Sequence, residues 1–205
     1  EELTEILIAE GGKPRGAASA EVERLINTFQ LAADAVTQLD DGHLLPLAVT
    51  AAASRYRGMV KHVPIGAVSL ISPFNFPLNL VAHKIAPAIA AGCPFVLKPA
   101  SLTPISALMI AKVLAETDLP KGSWSVLPCD RQAADSLVTD DRFKLLSFTG
   151  SDQVGWDMKA RAGRKKVTLE LGGNAAVLID ADTVIDDVLI DRLISAAYGH
   201  AGQVC

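Results

Sequence analysis

Residues 63–101 read VPIGAVSLISPFNFPLNLVAHKIAPAIAAGCPFVLKPAS, and this stretch decides the fold class. An apolar run from Ile65 to Ile71 predicts a strand, because short apolar runs bounded by turn residues are typical of buried strands. Leu78 to Ala91 has the length and composition of a helix, and Pro94 to Leu97 predicts a second strand. A strand, a helix and another strand in direct succession indicate a βαβ unit with parallel strands.

The same alternation continues towards the C-terminus. Further helices are predicted at Ile105 to Thr117, Gln132 to Val138, Ser151 to Ala162 and from about Asp182 onwards. Further strands are predicted at Ser125 to Leu127, Leu145 to Phe148, Val167 to Leu169 and in the apolar run Ala175 to Ile179. We therefore predict an α/β fold with an open, parallel, doubly wound (Rossmann-like) sheet that carries helices on both faces.

The residues before this region are expected to form an N-terminal helical lead-in. Leu3 to Ala9 and Ala20 to Val36 have apolar residues at helical spacing, and Ser19 is a candidate N-cap for the second helix. Asp40 to Pro46 has the turn residues of a loop, whereas Thr50 to Arg57 fits either a strand or a helix.

Composition excludes several classes of protein. The net charge is −4 and half of the residues are apolar, so the chain has the composition of a globular protein without the basic character of a nucleic-acid-binding protein. No uninterrupted apolar run approaches the roughly 20 residues of a bilayer span. Three widely spaced cysteines and four scattered histidines predict neither disulfides nor a metal site. We expect a cytoplasmic protein with no membrane or nucleic-acid partner.

Nearly all unusual polar residues follow the predicted strands. In open parallel sheets, ligands bind outside the carboxyl ends of the strands. The segments at these ends are Ser72 to Pro77, Lys98 to Ser101, Pro128, Thr149 to Ser151 and Glu170 to Gly173. We therefore expect the functional site on this one rim of the sheet.

Two residues have the chemistry of a nucleophile and a base. Cys205 ends the chain after Gly202-Gln203-Val204, and Glu170 follows an apolar strand, where a carboxylate would be costly unless it faced a cleft. A thiol with an ordinary pKa near 8.5 is only about 3% thiolate at pH 7, so catalysis would need help from its surroundings. The alternative for Cys205 is a structural role, which is the commoner one for cysteine. Cys93 and Cys129 are interpreted as packing residues.

The other rim residues each allow two interpretations. Asn75, between two phenylalanines and two prolines, either stabilises a turn or offers its amide to a ligand. Ser151 either caps its helix or helps the helix N-terminus to bind phosphate. Lys98 is either an exposed lysine or a charge near a ribose or phosphate. The chain has no GxGxxG and no P-loop motif, so a nucleotide would be held in another way.

Taken together, the motifs resemble the aldehyde dehydrogenase superfamily. The motifs are SPFNFP at 72–77, KIAPA at 84–88 with AG at 91–92, KPAS at 98–101, FTGS at 148–151, ELGG at 170–173 and GQVC at 202–205. The resemblance implies a helical segment over 1–57, an NAD(P)-binding domain over 58–180 and the start of the catalytic domain over 181–205. Because the chain would then stop at the nucleophile, we expect it to be part of a longer protein.

The resemblance also implies a mechanism. Cys205 would attack an aldehyde carbonyl to form a thiohemiacetal, with the amide of Asn75 and the backbone N–H of Cys205 as the oxyanion hole. After hydride transfer to the coenzyme, Glu170 would activate the water that hydrolyses the thioester to a carboxylic acid. Lys84 matches a buried lysine near this site, and we assign it no role from the sequence.

For the coenzyme, the resemblance implies a set of binding residues along the cleft. The set comprises Ile71, Ser72, Pro73, Phe74, Lys98, Ser101, Gly150, Ser151 and Leu171. Relatives that prefer NAD often carry glutamate at the position of Ser101, where the carboxylate would repel a 2′-phosphate. Serine removes that repulsion, so the sequence favours NADP over NAD.

Three further expectations concern the whole protein. The substrate is expected to be a small aldehyde. The sequence most resembles the branch of the family that acts on lactaldehyde, glyceraldehyde 3-phosphate or phosphonoacetaldehyde. The family usually pairs its subunits, so a homodimer or homotetramer is expected. Two alternatives remain: an acylating relative that transfers the thioester to coenzyme A, and, for the isolated chain, a nucleotide-binding module without turnover.

Overall fold

The computed structural model describes residues 1–38, 42–47 and 49–204. Its α-helices are α1 (Glu2–Gly11), α2 (Arg15–Val36), α3 (Asn79–Ala90), α4 (Pro104–Ala115), α5 (Asp135–Thr139), α6 (Asp152–Arg161) and α7 (Asp187–Tyr198). Its strands are β1 (His43–Leu45), β2 (Gly58–Val60), β3 (Val68–Ile71), β4 (Phe95–Lys98), β5 (Trp124–Val126), β6 (Leu145–Gly150) and β7 (Lys166–Leu171). Among the described residues, no helix has both the length and the apolar character needed to cross a membrane.

Five strands form one parallel sheet in the order β5-β4-β3-β6-β7. The chain first winds outwards from β3 to β5 and then returns to place β6 on the other side of β3. This reversal opens a crevice at the carboxyl ends of β3 and β6, which is where doubly wound folds bind their ligands. The predicted fold class is confirmed.

The sequences of the strands match their places in the sheet. All four residues of β3, the central strand, are buried, as expected for a parallel strand covered on both faces. The edge strand β7 instead alternates between exposed and half-buried residues. Its half-buried residues pack towards α6, and its exposed residues, among them Thr168 and Glu170, face the other way.

The core has one hydrophobic cluster on each face of the sheet. On one face, α3 and α4 cover the sheet, and α2 and α1 pack in turn on α3 and α4; the shared cluster includes Leu7, Leu25, Ile85, Leu97 and Ile110. On the other face, residues of α5, β6 and the end of α6 form the second cluster. The N-terminal helices therefore share their core with the parallel sheet rather than forming a separate one.

Several local predictions were wrong. Helix α2 begins at Arg15, because Pro14 supplies a favourable start, and Ser19 lies inside the helix rather than capping it. The predicted loop contains β1, which pairs antiparallel with β2, while Leu39, Asp40, Asp41 and Ala48 lie outside the described residues. Thr50 to Arg57, which we left undecided, forms turns up to Arg55 and neither a helix nor a strand.

Two further differences lie near the C-terminus. The apolar run Ala175 to Ile179 forms no strand, because it has no sheet neighbour among the described residues, and Leu178 is 92% exposed. The last helix begins at Asp187 rather than near Asp182, and the side chain of Asp186 caps it by accepting from the backbone N–H of Leu189 at 2.8 Å. The remaining predicted helices and strands are found within a few residues of their predicted bounds.

Candidate active site

A cavity of about 860 Å³ lies at the crevice between β3 and β6. Its size falls within the roughly 300–1,000 Å³ typical of small-molecule and cofactor sites. Seven of the residues predicted for catalysis or coenzyme binding line it: Pro73, Phe74, Asn75, Gly150, Ser151, Glu170 and Leu171. The cavity thus brings together the rim segments after β3 and β6 with the end of β7.

Four predicted coenzyme residues do not line this cavity. Ile71 is buried in the second hydrophobic cluster, and Ser72 has a buried Oγ without a hydrogen-bond partner among the described residues. Lys98 is also buried, so of the two interpretations that the sequence allowed, the exposed lysine is contradicted. Its Nζ donates to the carbonyl of Pro99 at 2.9 Å and to Oγ of Ser101 at 3.5 Å.

The predicted nucleophile, Cys205, lies outside the described residues. The two residues before it, Gln203 and Val204, line the cavity. They follow a short 3₁₀ segment, Gly199–Gly202, in which His200 and Ala201 adopt positive φ angles of 54° and 53°. Non-glycine residues rarely occupy this left-handed region, so the surrounding structure must stabilise the bend that leads to Cys205.

Asn75 is held in a turn and also directs its amide towards the segment before Cys205. Its Oδ1 accepts from the backbone N–H of Phe76 at 3.2 Å, as a turn-stabilising asparagine would. Its Nδ2 donates to the carbonyl of Gln203 at 2.6 Å. The two interpretations offered by the sequence are therefore compatible: the side chain stabilises the turn and reaches the chain beside the candidate nucleophile.

A buried ion pair of the N-terminal segment, between Lys13 in the link from α1 to α2 and Glu21 in α2, contacts the same turn, and the sequence interpretation missed it. Lys13 Nζ forms a salt bridge with Glu21 and donates to the carbonyl of Asn75 at 2.9 Å. Both side chains are almost fully buried. The signal in the sequence was spacing: Glu21 lies between the buried residues Ala18 and Leu25 on one helical face, where a carboxylate needs a partner.

Helices α3, α4 and α6 each begin at this rim of the sheet, and the protein's own carboxylates occupy the N-termini of the first two. Glu21 Oε1 accepts from the first backbone N–H groups of α3, at Leu78 (3.0 Å) and Asn79 (3.1 Å). Glu10 accepts from the backbone N–H groups of Ile105 and Ser106 at the start of α4. Both carboxylates complement the positive end of a helix dipole.

Helix α6 also begins on the cavity, and among the described residues no carboxylate of another helix binds its N-terminus, although its own Asp152 accepts from the backbone N–H of Gln153 at 2.7 Å. Ser151 caps it, with Oγ accepting from the backbone N–H of Val154 at 3.4 Å, and Gly150 and Ser151 line the cavity. The prediction that Ser151 is an N-cap is confirmed. Since helix N-termini attract anions, this end of the cavity is the favoured place for a phosphate group.

Lys84 of α3 also lines the cavity, together with Glu170. It is 6% exposed, and its Nζ donates to Oγ of Ser147 on β6 at 2.9 Å. Burial lowers the pKa of Lys84 from its ordinary value of 10.5 to about 8, while the Glu170 carboxylate acts in the opposite direction. The Glu170 carboxylate thus offsets part of the effect of burial on the pKa of Lys84.

Glu170 lies inside β7, not after it as the sequence suggested, because β7 extends to Leu171. It is opposite Thr149 in the parallel ladder, and its side chain is exposed on the cavity side of the strand. An edge strand exposes one face to water at little cost, so a carboxylate there needs no buried partner. The structure places Asn75 and Glu170 in the lining of the same cavity, which Gln203 and Val204 also line.

The sequence profile described as "Aldehyde dehydrogenase family" matches residues 1–205. The chain belongs to this family. The resemblance inferred from the six motifs is therefore confirmed, as is the Rossmann-type fold that it implied.

Individual aldehyde dehydrogenases show how much of such a protein the chain represents. Lactaldehyde dehydrogenase from Methanocaldococcus jannaschii is 40% identical over 212 residues, which cover 100% of this chain and 44% of that protein. The crystal structure of aldehyde dehydrogenase 21 from Physcomitrella patens, in complex with the reaction product succinate, is 52% identical with a TM-score of 0.95, and the match covers 100% of this chain and 42% of that one.

A third relative was solved with a coenzyme. The glyceraldehyde-3-phosphate dehydrogenase GapN from Methanocaldococcus jannaschii, complexed with NADP, is 40% identical with a TM-score of 0.77, over 84% of this chain and 38% of that one. The chain thus spans less than half the length of the aldehyde dehydrogenases that it matches.

Proposed function

We propose that the full-length protein is an NAD(P)-dependent aldehyde dehydrogenase that oxidises a small aldehyde to a carboxylic acid through a covalent cysteine intermediate. One observation supports this most: the amide of Asn75 donates to the carbonyl of Gln203, two positions before Cys205, at a cavity that Glu170 also lines. An amide donor, a carboxylate and the chain leading to a thiol thus converge on one cavity.

In the first step the Cys205 thiolate attacks the carbonyl carbon of the aldehyde and forms a thiohemiacetal. The negative charge develops on the former carbonyl oxygen, where preorganised donors are most effective. The Asn75 amide has two N–H donors, and its contact with Gln203 uses one of them. The second N–H and the backbone N–H of Cys205 are proposed as the oxyanion hole.

The coenzyme site is proposed at the α6 end of the cavity. Gly150 and Ser151 offer a helix N-terminus for the pyrophosphate. When bound, the oxidised nicotinamide supplies the hydride acceptor. The residues of the chain then have to bind and orient the coenzyme and keep it against the thiohemiacetal.

We propose that NADP is accepted, because Ser101 places no carboxylate beside Lys98. Support also comes from GapN, a relative that was crystallised with NADP. Equilibrium dissociation constants for both coenzymes test this, and NADP binding about tenfold weaker than NAD would contradict it. Ser101→Glu is expected to weaken NADP by about tenfold, as one like-charge repulsion of about 1.4 kcal/mol would, and to leave NAD nearly unchanged.

Hydrolysis of the thioester is assigned to Glu170. Its exposed carboxylate on the cavity wall is placed to take a proton from a water molecule that attacks the thioester carbon. The proton passes to the carboxylate, the carbon–sulfur bond breaks, and the carboxylic acid leaves as the Cys205 thiolate is restored. Transfer to coenzyme A would not need this base, so a carboxylate at this position favours water as the acceptor.

The substrate is proposed to be small and polar. The relatives above are named for lactaldehyde and glyceraldehyde 3-phosphate, and one was solved with succinate. Values of kcat/KM for these aldehydes, for phosphonoacetaldehyde and for succinate semialdehyde should exceed the value for decanal by at least tenfold. A preference for decanal would contradict the assignment.

The full-length gene product provides the decisive test of the function. With an aldehyde and NADP, it should form reduced coenzyme and carboxylic acid in equal amounts, and added coenzyme A should not raise the rate. Cys205→Ala should abolish turnover, whereas Cys129→Ala, at a half-exposed cysteine away from the cavity, should not. An active Cys205→Ala protein, or a thioester of coenzyme A as the product, would overturn the proposal.

A further inference from the structure

The buried pair Lys13–Glu21 makes a set of contacts that all end on one short turn. Lys13 Nζ donates to the carbonyl of Asn75 and lies 4.3 Å from the ring centroid of Phe76. Glu21 Oε1 accepts from the backbone N–H groups of Leu78 and Asn79. The two side chains thus hold both ends of the turn that carries the Asn75 amide.

The same turn is connected to the segment before Cys205 in two ways. The Asn75 amide donates to the carbonyl of Gln203 at 2.6 Å. The ring of Phe76 stacks on the ring of His200 with centroids 4.6 Å apart and an angle of 21° between their planes. A displacement of the turn would therefore displace the amide relative to the chain that leads to Cys205.

We infer that Lys13 and Glu21 are positioning residues that hold the Asn75 amide in place for oxyanion stabilisation. They are expected to act through Asn75 without touching the substrate. This inference rests on the proposed function, and it adds two residues of the N-terminal segment that neither the motifs nor the cavity lining include.

Stability alone is a weaker explanation for this pair. The desolvation of two buried charges offsets much of their mutual attraction, and neutral pairs of similar volume often replace such ion pairs without loss of stability. What a neutral replacement cannot reproduce here is the bond from Lys13 Nζ to the carbonyl of Asn75. If the pair positions Asn75, removing both charges together should therefore lower kcat even where the free energy of unfolding is unchanged.

The test variant is the double substitution Lys13→Met with Glu21→Gln in the full-length protein. It leaves no unpaired buried charge, and the glutamine amide oxygen can still accept from the backbone of α3, so folding is preserved. The matched control is Glu10→Gln. Glu10 is a carboxylate of the same N-terminal region that binds the start of α4, at Ile105 and Ser106, away from Asn75.

The double variant is expected to lower kcat roughly 10- to 100-fold, since a misplacement of about 1 Å can cost that much, and to leave the coenzyme dissociation constant unchanged. In the Asn75→Ala background the same double substitution should change kcat by less than about twofold, because the group it positions is already gone. Glu10→Gln should keep kcat within about twofold of the wild type in both backgrounds. Equal losses with and without Asn75 would overturn the inference.

Crystal structures of the same variants give a measurement that does not depend on turnover. The contact between Asn75 Nδ2 and the carbonyl of Gln203 should be lost in the double variant and kept in Glu10→Gln. If the wild type oxidises no aldehyde, the proposed function fails, whereas these structures still decide whether the pair holds Asn75. An unmoved Asn75 amide in the double variant would overturn the inference.

Discussion

The two walls of the cavity are built in opposite ways. Asn75 lies in a turn that is fixed by the Lys13–Glu21 pair, whose carboxylate also accepts from the backbone at the start of α3, and by a stacked aromatic pair. Glu170 lies on the exposed face of an edge strand. The wall proposed to hold the oxyanion donor is supported by buried contacts, and the wall proposed to carry the general base is exposed.

Of the changes on the two walls, the largest effect on the rate is expected at Glu170, on the exposed wall formed by β7. Glu170→Gln should lower the steady-state rate by about 10²–10⁴, the range for loss of a general base. Since the side chain is exposed, the free energy of unfolding should change by no more than about 0.5 kcal/mol. Glu116→Gln, at another exposed glutamate, is the control for both measurements. A large loss of stability in Glu170→Gln would contradict the claim that Glu170 lies on an exposed wall while the turn of Asn75 is held by buried contacts.

On the supported wall, Asn75→Ala should lower kcat/KM by about 10²–10³, the usual loss for one oxyanion donor. Steady-state kinetics with a saturating coenzyme measure this loss. Asn27→Ala, at an exposed asparagine of α2, should leave the rate unchanged. A value for Asn75→Ala within a factor of three of the wild type would remove the amide from the mechanism.

Lys84 lies between the walls and is expected to make stability depend on pH. Its pKa is about 8 in the folded protein and near 10.5 when unfolded. Between these values the unfolded chain binds the extra proton, so the free energy of unfolding should rise with pH, by up to about 1.4 kcal/mol per pH unit. This stabilisation is complete above the unfolded pKa and is lost as the pH falls through 8.

Unfolding by denaturant across this pH range tests the prediction. Lys84→Met should remove the contribution and flatten the curve relative to the wild type, whereas Lys112→Met, at an exposed lysine of α4, should not. Identical slopes for the wild type and Lys84→Met would mean that burial does not shift the pKa of this lysine.

The smallest effect is expected on stability at Gly155, where α6 packs on β7. A Cβ on Gly155 would lie 2.5 Å from Cδ2 of Leu171 and 3.2 Å from the ring of Phe148. Gly155→Ala should therefore lower the free energy of unfolding by about 1–3 kcal/mol through overpacking. At Gly16 in α2 no atom lies within 4 Å of the added Cβ, so Gly16→Ala should be neutral or slightly stabilising. Thermal unfolding of both variants measures the difference.

The strands and helices around the sheet could be predicted because the patterns that indicate them lie within short stretches of the sequence. Short apolar runs and helical spacing recur between turn residues, and the rule that ligands bind at the carboxyl ends of parallel strands placed Asn75, Ser151 and Glu170 on one rim. The apolar run Ala175 to Ile179 shows the limit of this reasoning. Its composition is that of a strand, yet a strand also needs a neighbour, which composition does not reveal.

The supports of Asn75 could not be predicted in the same way. Lys13 reaches a carbonyl 62 positions away, and Glu21 accepts from backbone groups 57 and 58 positions away. Such partners are decided by how the N-terminal helices pack on α3, not by any pattern along the chain. The contact between Asn75 and Gln203, 128 positions apart, could not be predicted from the sequence for the same reason.

A rapid-mixing measurement of reduced coenzyme in the first turnover tests the central claim, namely that Asn75 and Glu170 act on different steps at one cavity. Glu170→Gln should form one equivalent of reduced coenzyme per active site in a fast burst and then nearly stop, because capture and hydride transfer precede hydrolysis. Asn75→Ala should show no burst, because its capture step is slow. A burst lost equally in both variants, or kept equally in both, would contradict the account.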